Sequence, residues 1–338
     1  MPPRSSSPRS SPPGSALVLL SLLSRGLAAL GRRSAPAVAA SVFVGLALPP
    51  LAALAKPLIV PAILALLTLA FLRTEPAGGF GGRRAVVGLL AIGWIMLALP
   101  AGLGAVTLAL GEPSDLTLAL LMQACAPPIM SAPAFALLLG LDPRLVLAVM
   151  VGSMVLTPLS APLLVAFFSH GALALDSLGL ALRLGAVLGG TAGAGLGLRR
   201  LVTPARIARL RAHLDGANVL LLGLLAVGLM DGVTAWFMAD PAFVLGLTGL
   251  AFALSLSGLG LTALVFRAVG AGDALMLGFA AGHRNISVMI AATGAALPPE
   301  TWLYVAAAQF PIYLMPLFLL PLARRIRARD AGGREPAG

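Results

Sequence analysis

The sequence predicts an all-α polytopic membrane protein: ten transmembrane helices arranged as two inverted five-helix repeats, with helices four and nine broken. Four observations predict it. Of 338 residues, 59% are hydrophobic and 10% are charged, with a mean hydropathy of +0.99, whereas soluble domains carry about 25% charged residues. Ten apolar segments approach the roughly 20 residues a helix needs to cross a hydrocarbon core about 30 Å thick. Arginines gather at every second connection, and the fourth and ninth segments are interrupted near their middles.

The segments are 36–55, 57–73, 85–110, 116–140, 143–169, 176–198, 216–238, 241–266, 273–297 and 300–322. Only Lys56 and Pro57 separate the first two, and Pro49, Pro50, Pro57 and Pro61 argue for a break there. Residues 1–15, rich in Ser, Pro and Arg, cannot bury a core and are expected to be disordered. Residues 16–31 are apolar but short and contain Arg25, which reads as an interfacial helix. A cleaved signal peptide and an organelle transit peptide are the rival readings of this stretch. The organisation is thus a tail with a surface helix at 1–35, a first repeat at 36–169, a second at 176–322, and a basic tail at 323–338.

Charge sets the orientation. With the N-terminus in the cytoplasm, the cytoplasmic connections hold Arg73, Arg83 and Arg84, then Arg144, then Arg199, Arg200, Arg206, Arg209 and Arg211, then Arg267. The N-terminal tail adds Arg4, Arg9, Arg25, Arg32 and Arg33, and the C-terminal tail adds five more arginines. The opposite connections hold Lys56 and otherwise acids: Glu112, Asp115, Asp176, Asp240 and Glu300. The positive-inside rule is met at every connection, which places both termini in the cytoplasm; the expected location is the cell (inner) membrane or, alternatively, an organelle envelope.

The net charge of +11 is distributed at the ends of apolar runs without interleaved aromatics, which excludes a nucleic-acid groove. One cysteine, Cys125, excludes an internal disulfide and a Cys-rich zinc site. No Walker-type loop, HExxH or DxD pair is present, and His170 and His213 lie apart from paired carboxylates, so a membrane-embedded enzyme is a weak alternative. No cofactor is called for.

The two interruptions carry the functional reading. Segment four contains Ala126-Pro127-Pro128, and consecutive prolines cannot continue a regular helix. Segment nine contains Gly282-His283-Arg284-Asn285 near its middle, its only charged and amide side chains apart from Asp273 at its edge, flanked by apolar residues. Irregular backbone at membrane depth is tolerated where it lines a cavity or is buried in protein. Interrupted segments at matching places in two halves point to a transport site, because free N–H groups attract anions and free carbonyls attract cations.

At these residues the chain resembles the bile acid:sodium symporter family. Gly282-His283-Arg284-Asn285-Ile286-Ser287 is similar to the family's Gly-x-(Gln/Arg)-Asn signature. Ala126-Pro127-Pro128-Ile129-Met130-Ser131 is similar to its Pro-Gly-Gly-x-x-Ser-Asn, followed by Gly140 at the same interval. The resemblance covers roughly 36–322. It implies ten spans in inverted repeats, with the fourth and ninth helices crossing at mid-membrane. It also implies an alternating-access secondary transporter of a small organic anion, either a carboxylate or a bile-acid-like molecule. Spans three to five and eight to ten would form a scaffold against which spans one, two, six and seven rock. Ala280 stands where the family carries a sodium-ligating Glu, and Ala132 where it carries an Asn, so the coupling ion stays open between sodium and a proton.

The candidate substrate-binding residues are Arg284, Asn285, His283, Ser131, Pro127, Pro128 and Gln309. Arg284 leads, because a mid-membrane charge is expensive and its planar fork matches a carboxylate. His283 could carry a proton near neutral pH. The candidate ion-binding residues are Ser131, Ser153, Thr157, Asn285 and Ser287. Ser153 and Thr157 share one helix face, with back-bonding to the preceding turn as the alternative; interhelical hydrogen bonding is the alternative for Asn285 and Ser287. Gln123 is a further buried amide. Asp231 reads as an interfacial acid or a proton site. Cys125 borders the first interruption, and arsenite efflux permeases, which resemble this fold, use a cysteine in the same helix; metalloid export is therefore the alternative function.

Overall fold

The computed structural model describes Gly26 and residues 34–74, 81–111, 114–169, 177–294 and 297–332. Among them all regular structure is helical, and six helices are long and apolar enough to cross a membrane. Large apolar side chains stand fully on the outside, among them Leu54, Leu89, Leu138, Val155, Phe167 and Met238. A surface this greasy is expected where the solvent is lipid.

The chain begins with α1 (Ser34–Ala47) and α2 (Pro49–Ala55), the latter running through a 3-10 turn, Lys56–Leu58, into α3 (Ile59–Arg73). Next come α4 (Arg83–Gly93), a π turn at Trp94–Ala98 and α5 (Leu99–Leu110), which form one long rod. The first interrupted pair is α6 (Asp115–Cys125) and α7 (Ala132–Leu138), followed by α8 (Arg144–Ser169). Then follow α9 (Ser177–Leu201), α10 (Pro204–Leu229), α11 (Val233–Ala239) and α12 (Pro241–Val265). The second interrupted pair is α13 (Ala271–Gly282) and α14 (Ile286–Thr293), and the chain closes with α15 (Pro299–Ala307) and α16 (Gln309–Gly332).

Three boundaries differ from the sequence reading. The first break falls at Leu48, not at Lys56-Pro57. Leu48 leaves helical geometry at φ −125°, ψ 71°, and Pro49 and Pro50 fill the first positions of α2, where a missing N–H is harmless. Pro57 is absorbed in the 3-10 turn. Lys56 is therefore a helix residue and not a loop residue. Its Nζ lies 2.8 Å from Asp231 and 4.7 Å above the Trp302 ring. Second, Arg206, Arg209 and Arg211 stand in the first turns of α10 and not in a connection. Third, α16 continues through the Arg- and Ala-rich stretch that reads as a tail, in keeping with the strong helix propensity of those residues. The expected tail and surface helix before Ser34 (apart from Gly26), Glu112, Asp176 and residues 333–338 lie outside the described residues.

Packing sorts the helices into two groups. In one, α1 lies along α10, and α3 lies along both α9 and α10. In the other, α8 packs on α4, α6, α7 and α13, while α12 packs on α13 and α15. The groups meet along α8, which packs on α9, and along α14, which touches α9 and α3 of the first group.

The tightest pairing, α12 on α13, rests on small residues. Cβ atoms built on Gly278 and Gly282 would lie 2.5 Å from the Leu259 carbonyl oxygen and 2.3 Å from that of Ser255. Two glycines four apart let the backbones touch, which is how helices associate where no hydrophobic force drives them together. At the helix ends, Asp142 receives Arg144 at 2.7 Å and Arg84 at 3.0 Å, joining the starts of α4 and α8. Arg73 pairs with Asp215, and Arg199 donates to the Leu72 and Thr74 carbonyls at the end of α3, where a cation complements the helix dipole.

Two outcomes follow. Gly282→Ala has no room without separating α12 from α13; it should cost about 1–3 kcal/mol, read as a lower thermal midpoint of the purified protein, and an unchanged midpoint refutes the contact. Hydrogen bonds from Arg144, aided by Arg84, hold the Asp142 carboxyl well below the usual carboxylate range. A lowered folded-state pKa stabilises above the unfolded value of about 3.9 and is lost as pH falls below it. Asp142→Asn should therefore lower the midpoint at pH 7, with the difference shrinking below about pH 4.

Candidate functional site: a crossing of two interrupted helices

The α6 helix stops where Pro127 and Pro128 remove consecutive backbone donors. Ala126, its cap residue, is extended at φ −66°, ψ 149°, as a residue before proline prefers. The α13 helix stops at His283, extended at φ −111°, ψ 98°. The two extended stretches lie antiparallel across each other, with Pro128 opposite Arg284. The Ile129 N–H donates to the His283 carbonyl at 2.9 Å, and the Asn285 N–H donates to the Pro127 carbonyl at 2.7 Å. Each break thus pairs part of its exposed backbone with the other. Neither stretch could sit at membrane depth alone, because an unpaired peptide group in oil costs several kcal/mol.

Arg284 completes this accounting. Its side chain is 4% exposed. Nε donates to the Ala281 carbonyl at 2.8 Å, Nη1 to the Ala126 carbonyl at 3.1 Å, and Nη2 to the Ile95 carbonyl at 2.6 Å; Nη1 also lies 3.6 Å from the Met96 sulfur. Each carbonyl lacks a helical partner for an identifiable reason. Ala281 would be served by the Asn285 N–H, which is spent on Pro127. Ala126 ends α6. Ile95 lies in the π turn, where the Leu99 N–H goes to Trp94 and the following residue, Pro100, has no N–H. The indole N–H of Trp94 donates to Thr262 on α12 at 3.0 Å, anchoring the same turn.

Arg284 is at the crossing, but its donors are committed to backbone carbonyls and the residue is sealed from solvent, so it serves as a clamp. His283 is likewise fully buried. Nδ1 lies 3.0 Å from the Phe279 carbonyl, and the ring stacks on Phe279 at 4.1 Å, which stacks in turn on Phe135 at 4.5 Å. That setting suits a packing residue rather than a proton carrier. Pro127 and Pro128 are at the crossing, buried.

The reachable polar groups lie at the start of the two following half-helices. Ser131 is exposed, and Asn285 and Ser287 are half-buried. Ser131 and Asn285 occupy the N-cap positions of α7 and α14, neither caps with its side chain, and neither helix has an acid in its first turn. The positive ends of both half-helices are left without a protein anion of their own.

Ser153 and Thr157 are fully buried on α8. Thr157 donates back to the Ser153 carbonyl at 2.7 Å, the structural alternative weighed above, while the Ser153 hydroxyl has no hydrogen-bond partner among the described residues. Gln309 is buried and donates to Val305 at 3.1 Å, which leaves it a local role at the start of α16. Gln123 keeps a buried, unpaired Oε1. Asp231 is paired with Lys56 at 2.8 Å. Cys125 is free of any disulfide and fully buried, closed to a metalloid in this conformation. A hollow of about 360 Å³ lies away from the crossing, among α1, α2 and α10, with walls such as Leu51, Val219 and Leu224.

The sequence reading missed Ile95, Met96 and Trp94. Pro100 inside an apolar span was the available signal, since it must orphan a carbonyl one turn earlier, yet nothing local says which cation answers it. No protein-family model matches the chain, and no curated protein is similar to it.

Proposed function

We propose that this chain is a secondary active transporter that moves a small organic anion, a carboxylate or bile-acid-like molecule, by alternating access. The observation that carries the reading is the backbone pairing of the two interruptions, Ile129 to His283 and Asn285 to Pro127. Interrupted helices paired at membrane depth bring four half-helix ends to one place. The two C-terminal ends, at Ala126 and Ala281, carry partial negative charge, and the Arg284 guanidinium answers both. The two N-terminal ends, at α7 and α14, carry partial positive charge and have neither a side-chain cap nor an acid in their first turns. The sum is a locally electropositive spot rimmed by the Ser131 hydroxyl, the Asn285 amide and the Ser287 hydroxyl. An anion is the ligand such a spot favours.

The rest of the reading agrees with this. The proposed architecture has ten spans, with α1, α2–α3, α4–α5, the α6–α7 pair and α8 forming one half, and α9, α10–α11, α12, the α13–α14 pair and α15–α16 forming an inverted second half. Each half has its fourth member interrupted, as the motif resemblance to the bile acid:sodium symporter family implies. The basic helix ends would face the cytoplasm, with both termini, in a cell membrane. Motion would come from one packing group sliding on the other, with α14, which touches both, at the seam.

Two measurements test it. Proteoliposomes holding the purified protein should take up labelled cholate or pyruvate faster than protein-free vesicles, and Asn285→Ala should reduce that uptake about tenfold through loss of one hydrogen bond to a charged ligand; uptake of neither anion removes the proposal. A charged, membrane-impermeant thiol reagent should leave the wild type, with its buried Cys125, unlabelled and should label Ser131→Cys, with cholate or pyruvate slowing the reaction. A silent Ser131→Cys means that water does not reach the crossing.

A further inference from the structure

We infer that Arg284 is a covalently tethered cation filling a carbonyl cage that would otherwise need a free metal cation, so that the protein neither binds nor requires sodium at its crossing. The coupling part of this inference rests on the carrier reading above; the cage itself does not. Backbone carbonyls released by unwound helix and by half-helix C-terminal ends are the groups with which transporters hold small cations at membrane depth. Here three such oxygens converge from three separate elements: Ala126 at the end of α6, Ala281 in the last turn of α13 and Ile95 in the π turn between α4 and α5. All three bond one guanidinium, at 3.1, 2.8 and 2.6 Å.

The rest of the environment fits a cation supplied by the chain. No carboxylate pairs with Arg284; the ion pairs among the described residues join Lys56 to Asp231, Arg73 to Asp215, and Arg84 and Arg144 to Asp142. Ala280, one residue before the Ala281 ligand, is fully buried and offers no oxygen in its side chain. A guanidinium carries one positive charge whether or not sodium is present, so the two C-terminal ends are neutralised permanently. The crossing is then assembled without a coupling ion, and the electropositive half that faces Ser131 and Asn285 is always ready. Any energy coupling would have to come from another ion or from the anion gradient itself.

The experiment measures the thermal midpoint of the full-length detergent-purified protein in sodium chloride and in choline chloride at equal ionic strength. Wild type should melt at the same temperature in both, and a rise in sodium overturns the inference. Arg284→Ala should melt several degrees lower in choline, because it leaves three buried carbonyls unpaired. Millimolar N-ethylguanidinium, the side-chain fragment removed, should recover part of that loss where ethylammonium does not. No loss, or no selective recovery, overturns the cage. Should Arg284→Ala not fold, Arg284→Lys, which keeps the charge without the fork, substitutes in the same comparison and should show a smaller loss that is equally indifferent to sodium. In proteoliposomes, cholate or pyruvate uptake should run at one rate with sodium or choline outside; a rate that needs sodium overturns the inference, while no uptake at all counts against the carrier reading and leaves the melting result to decide the cage.

Discussion

The Arg284 guanidinium holds together three carbonyls that ordinary helices would have satisfied internally. Two of them exist because helices stop in the middle of an apolar span, and the third because a π turn meets a proline. A planar fork with donors fanned over one edge can serve carbonyls arriving from several directions, which an ammonium does less well. Burying a full charge is expensive unless it is hydrogen-bonded on several sides, and here the partners are the dipole ends of half-helices, which themselves need a cation. Two costs that would each destabilise the fold offset one another at a single residue.

The oily surroundings explain why the crossing takes the form it does. In lipid, each peptide group released from a helix must find a partner within the protein. Prolines at 127 and 128 lower the demand by removing donors outright, and the antiparallel pairing with 283–285 uses donors and acceptors from both breaks. Close contact on the far side of α13 then holds this geometry, because Gly278 and Gly282 bring its backbone against α12. The ring stack of Phe135, Phe279 and His283 ties α7 to α13 beside the same point. The interruptions are thus braced from several directions, while α14 and α8 also reach α9 in the other packing group and are placed to feel movement between the groups.

Splitting the four half-helix ends by sign links the structure to the proposed chemistry. The negative ends are consumed inside the protein. The positive ends are not, and the side chains beside them, Ser131, Asn285 and Ser287, are the reachable ones. In the proposed carrier, Arg284 would support the anion site without touching the anion, by offsetting the field of the carbonyl ends beside it.

The sequence by itself determined the apolar surroundings, the helical class and both interruptions; that the interruptions meet was implied only by the motif resemblance. These follow from composition, from the length of apolar runs, from proline's missing donor at 127–128 and from the polar cluster at 282–285, all local properties of the chain. It misplaced the first break because four prolines between 49 and 61 offered several stopping points, and only the packed structure distinguishes a proline at a helix start from one absorbed in a 3-10 turn. It also took the mid-membrane arginine for a ligand-binding group. Whether a buried guanidinium faces a substrate or its own backbone depends on which carbonyls are left unpaired nearby, and those at 95 and 126 are more than 150 residues distant in the chain. The role of Arg284, and with it the division of the crossing into a sealed cationic half and a reachable half, was decided by tertiary structure, because hydrogen bonds between distant segments form only once the segments are packed.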